Sequence, residues 1–442
     1  MSSQVQPSST TGMVEPSLAD ATYRKIKWRI LPLIMLCYTV ALIDRNVIGF
    51  ARLDFMHQLG FNEVMYGIGT GMFFIGYFVF EVPSNLWLQK IGVRLTFLRI
   101  MILWGLACAA FAMMSSPTEF YIYRFLLGAA EAGFFPGVLL YITFWIPKAR
   151  RASVTALFMA ALPIAGMLGG PLAGTIMRLL DGALGLHGWQ WLFIVEGLPA
   201  CVLGGVVYYF LDNKPADAKW LTASEKSLVQ ADVDRDSAAS PGQHHSLWQA
   251  FGDKRVYILS FVALAVFSGA AANAYWIPTI IKNSGIKDVL HVGLLSSIPF
   301  LAGLIVQFLV ARHSDKVGER RWHVALCLGT AAVAWLVLGT TQLSTMPAIA
   351  LLTVCTAATL GATGPFWTLP GSTFSGPKAA GSIALVTTLA GLGNVFVPMI
   401  VGVLIDKTGT LAASQLAYGT LLMAGAITIV AATRAPQPAA KA

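Results

Sequence analysis

Twelve long apolar stretches leave this chain little choice of fold. They run roughly over 30–56, 64–89, 96–115, 118–145, 151–179, 189–211, 256–281, 289–311, 323–342, 347–370, 379–405 and 411–433. Each is long enough to cross a hydrocarbon core of ~30 Å as a helix. Only 12% of the residues are charged and 56% are hydrophobic, against roughly 25% charged in a soluble domain. The fold class expected is an all-α polytopic membrane protein of twelve transmembrane helices. The first stretch follows a polar tail and lacks a short apolar core with a small-residue cleavage site, so it does not read as a signal peptide. The Ser-, Thr- and Pro-rich segment Met1 to Ala21 is expected to be disordered.

The net charge of +9 would suit a nucleic-acid binder, but its distribution excludes that reading. With the N-terminus inside, twenty-three of the thirty Lys and Arg fall on the cytoplasmic side, among them Arg24, Lys90, Arg94, Lys148, Lys254, Arg312, Arg320, Arg321, Lys378, Arg434 and Lys441. Arg178, Lys282, Lys287 and Lys407 fall outside, and Arg45, Arg52 and Arg124 lie within the stretches. The positive-inside rule then puts both termini in the cytoplasm. A cytoplasmic tail (1–29), a six-helix bundle (30–211), a linker (212–255), a second bundle (256–433) and a short tail (434–442) follow, with a surface helix expected near 222–234 in the linker. The five cysteines stand singly in apolar runs, as small packing residues do.

Two turns repeat between the halves. Lys90-Ile91-Gly92-Val93-Arg94 follows the second stretch, and Ser314-Asp315-Lys316-Val317-Gly318-Glu319-Arg320-Arg321 follows the eighth. A duplicated transporter architecture predicts such paired signals.

Ionisable groups inside a membrane are costly and mark pathways or binding sites. Asp44 and Arg45 are sequential, hence about 100° apart on a helix, and cannot face one neighbour. Arginine stays charged and offers a planar fork to a carboxylate, so Arg45 is the expected anion anchor and Asp44 the titrating group. Arg124 and Glu131 stand seven apart, on one helical face ~10.5 Å apart, with Gly128 between them. Burial disfavours the charge on Glu131 and the nearby arginine favours it, a balance that suits a proton carrier. A structural ion pair is the competing reading for both charged pairs. Glu81 is expected in a structural or gating pair, Glu196 as structural, Arg52 and Asp54 at the outer mouth, and His291 as a solvated cap. The second half supplies polar and aromatic groups at apparent helix breaks: Asn273, Tyr275 and Trp276 before Pro278; Trp367 and Ser372 around Pro365 and Pro370; and Asn394 after Gly391 and Gly393. Non-helical backbone at such depth belongs along a cavity. Gly170 and Pro171, in a small-residue cluster of the fifth stretch, are expected to pack closely on the eighth.

Several segments together resemble the major facilitator superfamily, and more narrowly its anion:cation symporter branch. They are Asp44-Arg45-Asn46-Val47-Ile48-Gly49-Phe50-Ala51, Pro83-Ser84-Asn85-Leu86, Arg124 to Gly137, and Gly188-Trp189-Gln190-Trp191-Leu192-Phe193. The resemblance implies two six-helix halves, a monomer in a bacterial inner membrane, and import of sugar acids, tartrate, phthalate or similar carboxylates, usually with protons. It implies proton coupling at Asp44 and Glu131, anion binding at Arg45 and a substrate contact at Tyr77. The turn after the second stretch lacks the superfamily's usual Asp, whereas the second-half copy keeps Asp315, so Arg94 is expected to pair differently from Arg320 and Arg321. The expected function is therefore proton symport of a small organic anion by alternating access, with Arg124 also among the substrate contacts and no cofactor beyond the coupling proton. A proton-coupled exporter, which the Gly-Pro cluster keeps open, and a non-transporting sensor are the rivals. No phosphate loop, metal spacing or nucleophile with a base suggests an enzyme.

Overall fold

A computed structural model describes residues 18–238, 251–374 and 379–432. Among these residues, twelve helical spans are long and apolar enough to cross a membrane: Leu18–Gln58, Glu63–Ile91, Val93–Met113, Pro117–Trp145, Lys148–Leu179, Gly188–Phe210, Lys254–Asn283, Val289–Val317, Arg321–Thr340, Thr345–Thr373, Gly381–Thr408 and Ala412–Ala432. Start signals are local. Asn62 accepts from the Met65 N–H at 2.9 Å ahead of the second span, and Ser116 accepts from the Glu119 N–H at 3.3 Å, with Pro117 opening the fourth. Large apolar side chains such as Leu106, Val202, Leu309 and Ile427 are exposed, as hydrocarbon solvent permits.

The first described helix starts at Leu18, so Leu18 to Ala21, expected to be disordered, are helical. The extra turn is held by Asp20, whose carboxylate accepts from Arg150 at 2.5 Å. Residues 1–17 and 433–442, with Arg434 and Lys441, lie outside the described residues, as does Lys378. The linker carries a helix, Ala223–Ala238, and residues 239–250 are outside the description. That helix rests on the first and fourth spans. Tyr23 donates to Asp232 at 2.8 Å, Lys25 pairs with Glu225 at 3.0 Å, and Trp220, just before the helix, stacks on Trp145 with ring centroids 5.7 Å apart.

The expected breaks in the seventh, tenth and eleventh spans are absent. Helices Lys254–Asn283, Thr345–Thr373 and Ala379–Thr408 run through Pro278, Pro365, Pro370 and Pro398. Neighbouring helices and local adjustment absorb a proline at that depth. The marked break is in the first half. The fourth span ends its first helix at Glu131, passes through extended Ala132 (ψ 132°) and left-handed Gly133 (φ 87°), and restarts at Phe134.

The first six spans meet the last six along two main seams, span two on span eleven and span five on span eight. In the second seam a Cβ added at Gly170 would lie 2.5 Å from the Gly293 carbonyl oxygen, and one at Gly293 would lie 2.2 Å from that of Gly170. Backbone therefore touches backbone, and Pro171 continues the helix beside it. This contact lies toward the end that carries residues 59–62, 180–187 and 284–288, the charge-poor end of the molecule. Two further links join the halves there. Lys282 donates to the Leu53 carbonyl at 2.9 Å and lies 3.6 Å from Asp54, and Arg178 pairs with Asp288 at 3.2 Å.

Candidate functional site

The last turn of the first helix presents its two charges in different directions. Asp44 is buried, accepts a hydrogen bond on Oδ2 from Trp104 Nε1 of the third span, and leaves Oδ1 without a partner among the described residues. Arg45 points to the fourth and second spans. Its Nη2 lies 2.6 Å and its Nε 3.3 Å from Glu131 Oε2. Its guanidinium sits 5.0 Å from the Phe73 ring centre and 5.4 Å from that of Tyr77.

Glu131 is 1% exposed and Arg45 keeps 20% of its side-chain surface accessible. A charged donor and acceptor at this distance form a strong, directional bond. The carboxylate stands at the C-terminal end of its helix because Ala132 and Gly133 stop the helix there. The negative end of that helix dipole thus falls beside the Arg45 guanidinium. A Cβ at Gly133 would also lie 2.5 Å from the Ser84 hydroxyl, so the turn needs glycine for its conformation and its space.

Arg124 is fully buried two turns below Glu131. Its Nε donates to the Gly69 carbonyl at 3.2 Å, its guanidinium lies 4.8 Å from the Phe73 ring centre, and Nη2 has no partner among the described residues. One aromatic ring thus neighbours two guanidinium groups, each within cation–π range. Tyr66 and, from the second half, Tyr275 lie near Arg124. Asn273, 1% exposed, leaves both amide atoms unpartnered among the described residues.

Arg45, Glu131, Tyr77 and Arg124 are therefore brought together around Phe73. Asp44 does not face Glu131 as its paired group, because Arg45 occupies that place. Trp276 is buried, donates to the Tyr418 hydroxyl at 3.3 Å and lies 4.4 Å from Arg52. Arg52 is itself buried rather than at an open mouth, paired with Glu63 at 2.6 Å and 4.1 Å from the Tyr66 ring centre. Trp367 is exposed and packs on Phe267 of its own half with ring centroids 5.7 Å apart. Ser372 is exposed at the charge-rich end, its hydroxyl donating to the Leu369 carbonyl at 3.0 Å. Asn394 is half-buried in the eleventh span.

The two Gly turns differ as their sequences do. Arg94 donates through Nε to the Tyr208 carbonyl at 2.7 Å and through its backbone N–H to Asn213 at 3.1 Å, whereas Arg320 pairs with Asp315 at 2.5 Å and donates to the Ser314 hydroxyl at 2.8 Å. Arg321 donates to the Val430 carbonyl. Glu81 makes no ion pair among the described residues; its carbonyl accepts from Asn85 at 2.8 Å. Sequence reasoning missed Phe73, which periodicity cannot separate from a core residue. It also missed the Gly133 break, whose signal was the Ala-Gly pair directly after a membrane carboxylate.

The chain matches the model of the Major Facilitator Superfamily over residues 34–398 and 287–442. It is 40% identical over 413 residues to the "Putative metabolite transport protein NicT" of Pseudomonas putida, covering 93% of this chain and 94% of that one. It is 42% identical over 425 residues to a "Putative tartrate transporter" of Agrobacterium vitis, covering 96% and 98%. It is 38% identical over 405 residues to the "Quinolone resistance transporter" of Acinetobacter baumannii, covering 91% and 93%. Among solved structures, the inward open xylose transporter XylE from E. coli superposes with a TM-score of 0.74 at 18% identity, over 94% of this chain and 97% of that one; the likeness is one of fold. With twelve spans, a family model that covers most of its length and relatives aligned nearly end to end, the chain belongs to the major facilitator superfamily, whose members are transporters and not enzymes.

Proposed function

We propose that this transporter imports a small organic anion, a mono- or dicarboxylate, by proton symport through alternating access. The observation that carries the reading is the 2.6 Å bond between Arg45 and Glu131. Arg45 is permanently charged, and in this arrangement its counter-ion is a group that can take up a proton. When Glu131 binds a proton it ceases to neutralise Arg45, and an incoming carboxylate becomes the counter-ion in its place. Anion and proton then bind as a set, because either alone leaves an uncompensated buried charge. Tyr77 and Phe73 frame the guanidinium, and Asn273, Tyr275 and Arg124 supply further donors. Asp44 is a second proton site, Trp367 and Asn394 line the way from the charge-rich end, and Arg94, Asp315, Arg320 and Arg321 hold the cytoplasmic turns. The charge rule puts the charge-poor end outside, which makes this the inward-facing carrier, closed by the Gly170–Gly293 seam and by Arg52 between Tyr66 and Trp276. The relatives named for tartrate transport support a carboxylate cargo.

The test is uptake of radiolabelled L-tartrate, and in parallel of phthalate, by full-length protein in liposomes. An inward proton gradient should raise accumulation at least several-fold, and a protonophore should abolish it. Glu131→Gln should keep exchange while losing gradient-driven accumulation. Sodium dependence, or indifference to both ions, would overturn the proton assignment. One observation favours export, the relative named for quinolone resistance; cargo leaving against its gradient when protons enter would establish that direction instead.

A further inference from the structure

A second pair of carboxylates lies buried in the first half, away from Arg45. Glu196 of the sixth span is 6% exposed, and both its oxygens lack a partner among the described residues. Asp44 is 2% exposed, with Oδ1 equally unpartnered. The third and sixth spans cross here through glycine: a Cβ at Gly105 would lie 2.5 Å from the Gly197 carbonyl oxygen, and one at Gly197 would lie 2.4 Å from that of Gly105. Residues adjacent to these glycines are thereby brought to one level. Trp104, beside Gly105, holds Asp44 by its indole N–H, and Glu196, beside Gly197, interacts electrostatically with Asp44. Cys108 completes the wall, its Sγ donating to the Phe193 carbonyl at 3.5 Å.

Among the described residues no cation pairs with either acid, and Arg124 donates instead to the Gly69 carbonyl. Arg45 is bonded to Glu131, Arg52 to Glu63 and Arg178 to Asp288. The titratable and charged groups that reach this chamber are Cys108 from the third span, Cys201 from Glu196's own span, and Glu131 and Arg124 from the fourth. Two ionised carboxylates facing each other without a cation would be strongly unfavourable. Three buried oxygens with no donor are otherwise unexplained, since buried polar atoms find partners.

We propose that Glu196 is a proton-binding residue of this transporter, holding one proton in common with Asp44 in a closed chamber between the first, third and sixth spans. One hydroxyl donated from either acid to the other satisfies two of the three orphaned oxygens and reduces two charges to one. The Trp104 N–H stabilises whichever form leaves the charge on Asp44. The chamber is walled off from Arg45 by the helix that carries both residues, so a proton can stay there while the anion site is empty. Its part in coupling rests on the symport reading; its existence does not.

The test uses full-length protein in lipid without substrate, followed by infrared difference spectroscopy of the protonated-carboxyl C=O band as pH is raised. In the parent protein the last proton leaves a pair and creates two facing charges, so the band should persist to high pH. Glu196→Gln should move the midpoint of the Asp44 band to lower pH by about one unit or more, Asp44→Asn should move the Glu196 band in the same direction, and Glu196→Asp should restore the parent behaviour. Size-exclusion and melting profiles check that each variant is folded. Midpoints that stay in place in both single variants, or single-variant bands that sum to the parent spectrum, would mean that the acids titrate independently and would overturn the proposal. Because no transport is measured, that failure is distinct from a failure of anion:proton symport.

Discussion

At the scale of single residues, the site depends on which group neutralises which charge. Arg45 holds Glu131 through two nitrogens on one oxygen, a geometry that a lysine ammonium cannot reproduce. Arg45→Lys should therefore leave folding intact and weaken L-tartrate binding about tenfold or more, roughly 1.4 kcal/mol or above, measured as the shift in ligand-induced thermal stabilisation. The identities of these residues were legible in the sequence because charge in an apolar run stands out, and the 100° rule correctly separated Asp44 from Arg45. Their partners were not legible. Trp104 and Glu196 are 60 and 152 positions from Asp44, and only the packing of the third and sixth spans brings them to it. The surroundings of Trp276 were equally hidden: a tryptophan near a proline looks the same in sequence whether it lines a cavity or packs over an arginine, as Trp276 does over Arg52.

Among elements, the apolar runs located most span ends to within a few residues, since an apolar run in a membrane has few alternatives to helix; the first span instead begins at Leu18, and the eighth runs on to Val317. Helix interruptions were harder. Pro278, Pro365 and Pro370 suggested breaks and produced none, because a proline removes one N–H that neighbours and local adjustment can offset. The real interruption, at Gly133, uses a left-handed residue that only its φ of 87° reveals. Gly133→Ala should lower stability by about 1–2 kcal/mol from backbone strain alone, beyond any clash with Ser84. A lowered melting temperature in detergent, together with reduced tartrate uptake, would fit a turn that sets the position of Glu131. An unchanged melt would show that the turn tolerates a side chain.

For the whole molecule, the charges and the closure are divided unevenly. The buried charged cluster lies in the first six spans, and the second six contribute uncharged polar groups and half of each seam. The seam at Gly170 and Gly293 has no room for a methyl group. Gly170→Val should therefore drive the charge-poor ends of spans five and eight apart. Spin labels at Leu184 and Lys287, both exposed, should report a longer mean distance, and a distance distribution identical to that of the parent would show that the seam is not what keeps this end shut.

The linker helix has a practical consequence of a different kind. Ala223–Ala238 is anchored by Tyr23, Lys25 and the backbone N–H of Lys148, which donates to Asp236 at 2.5 Å. Tyr23 and Lys25 belong to the first span and Lys148 opens the fifth, so the helix travels as a passenger on that half. Its opposite side, with Ala231 and Arg235 exposed, offers a rigid mounting point. An antibody fragment or fused domain fixed there would give electron microscopy an orientation marker outside the bilayer.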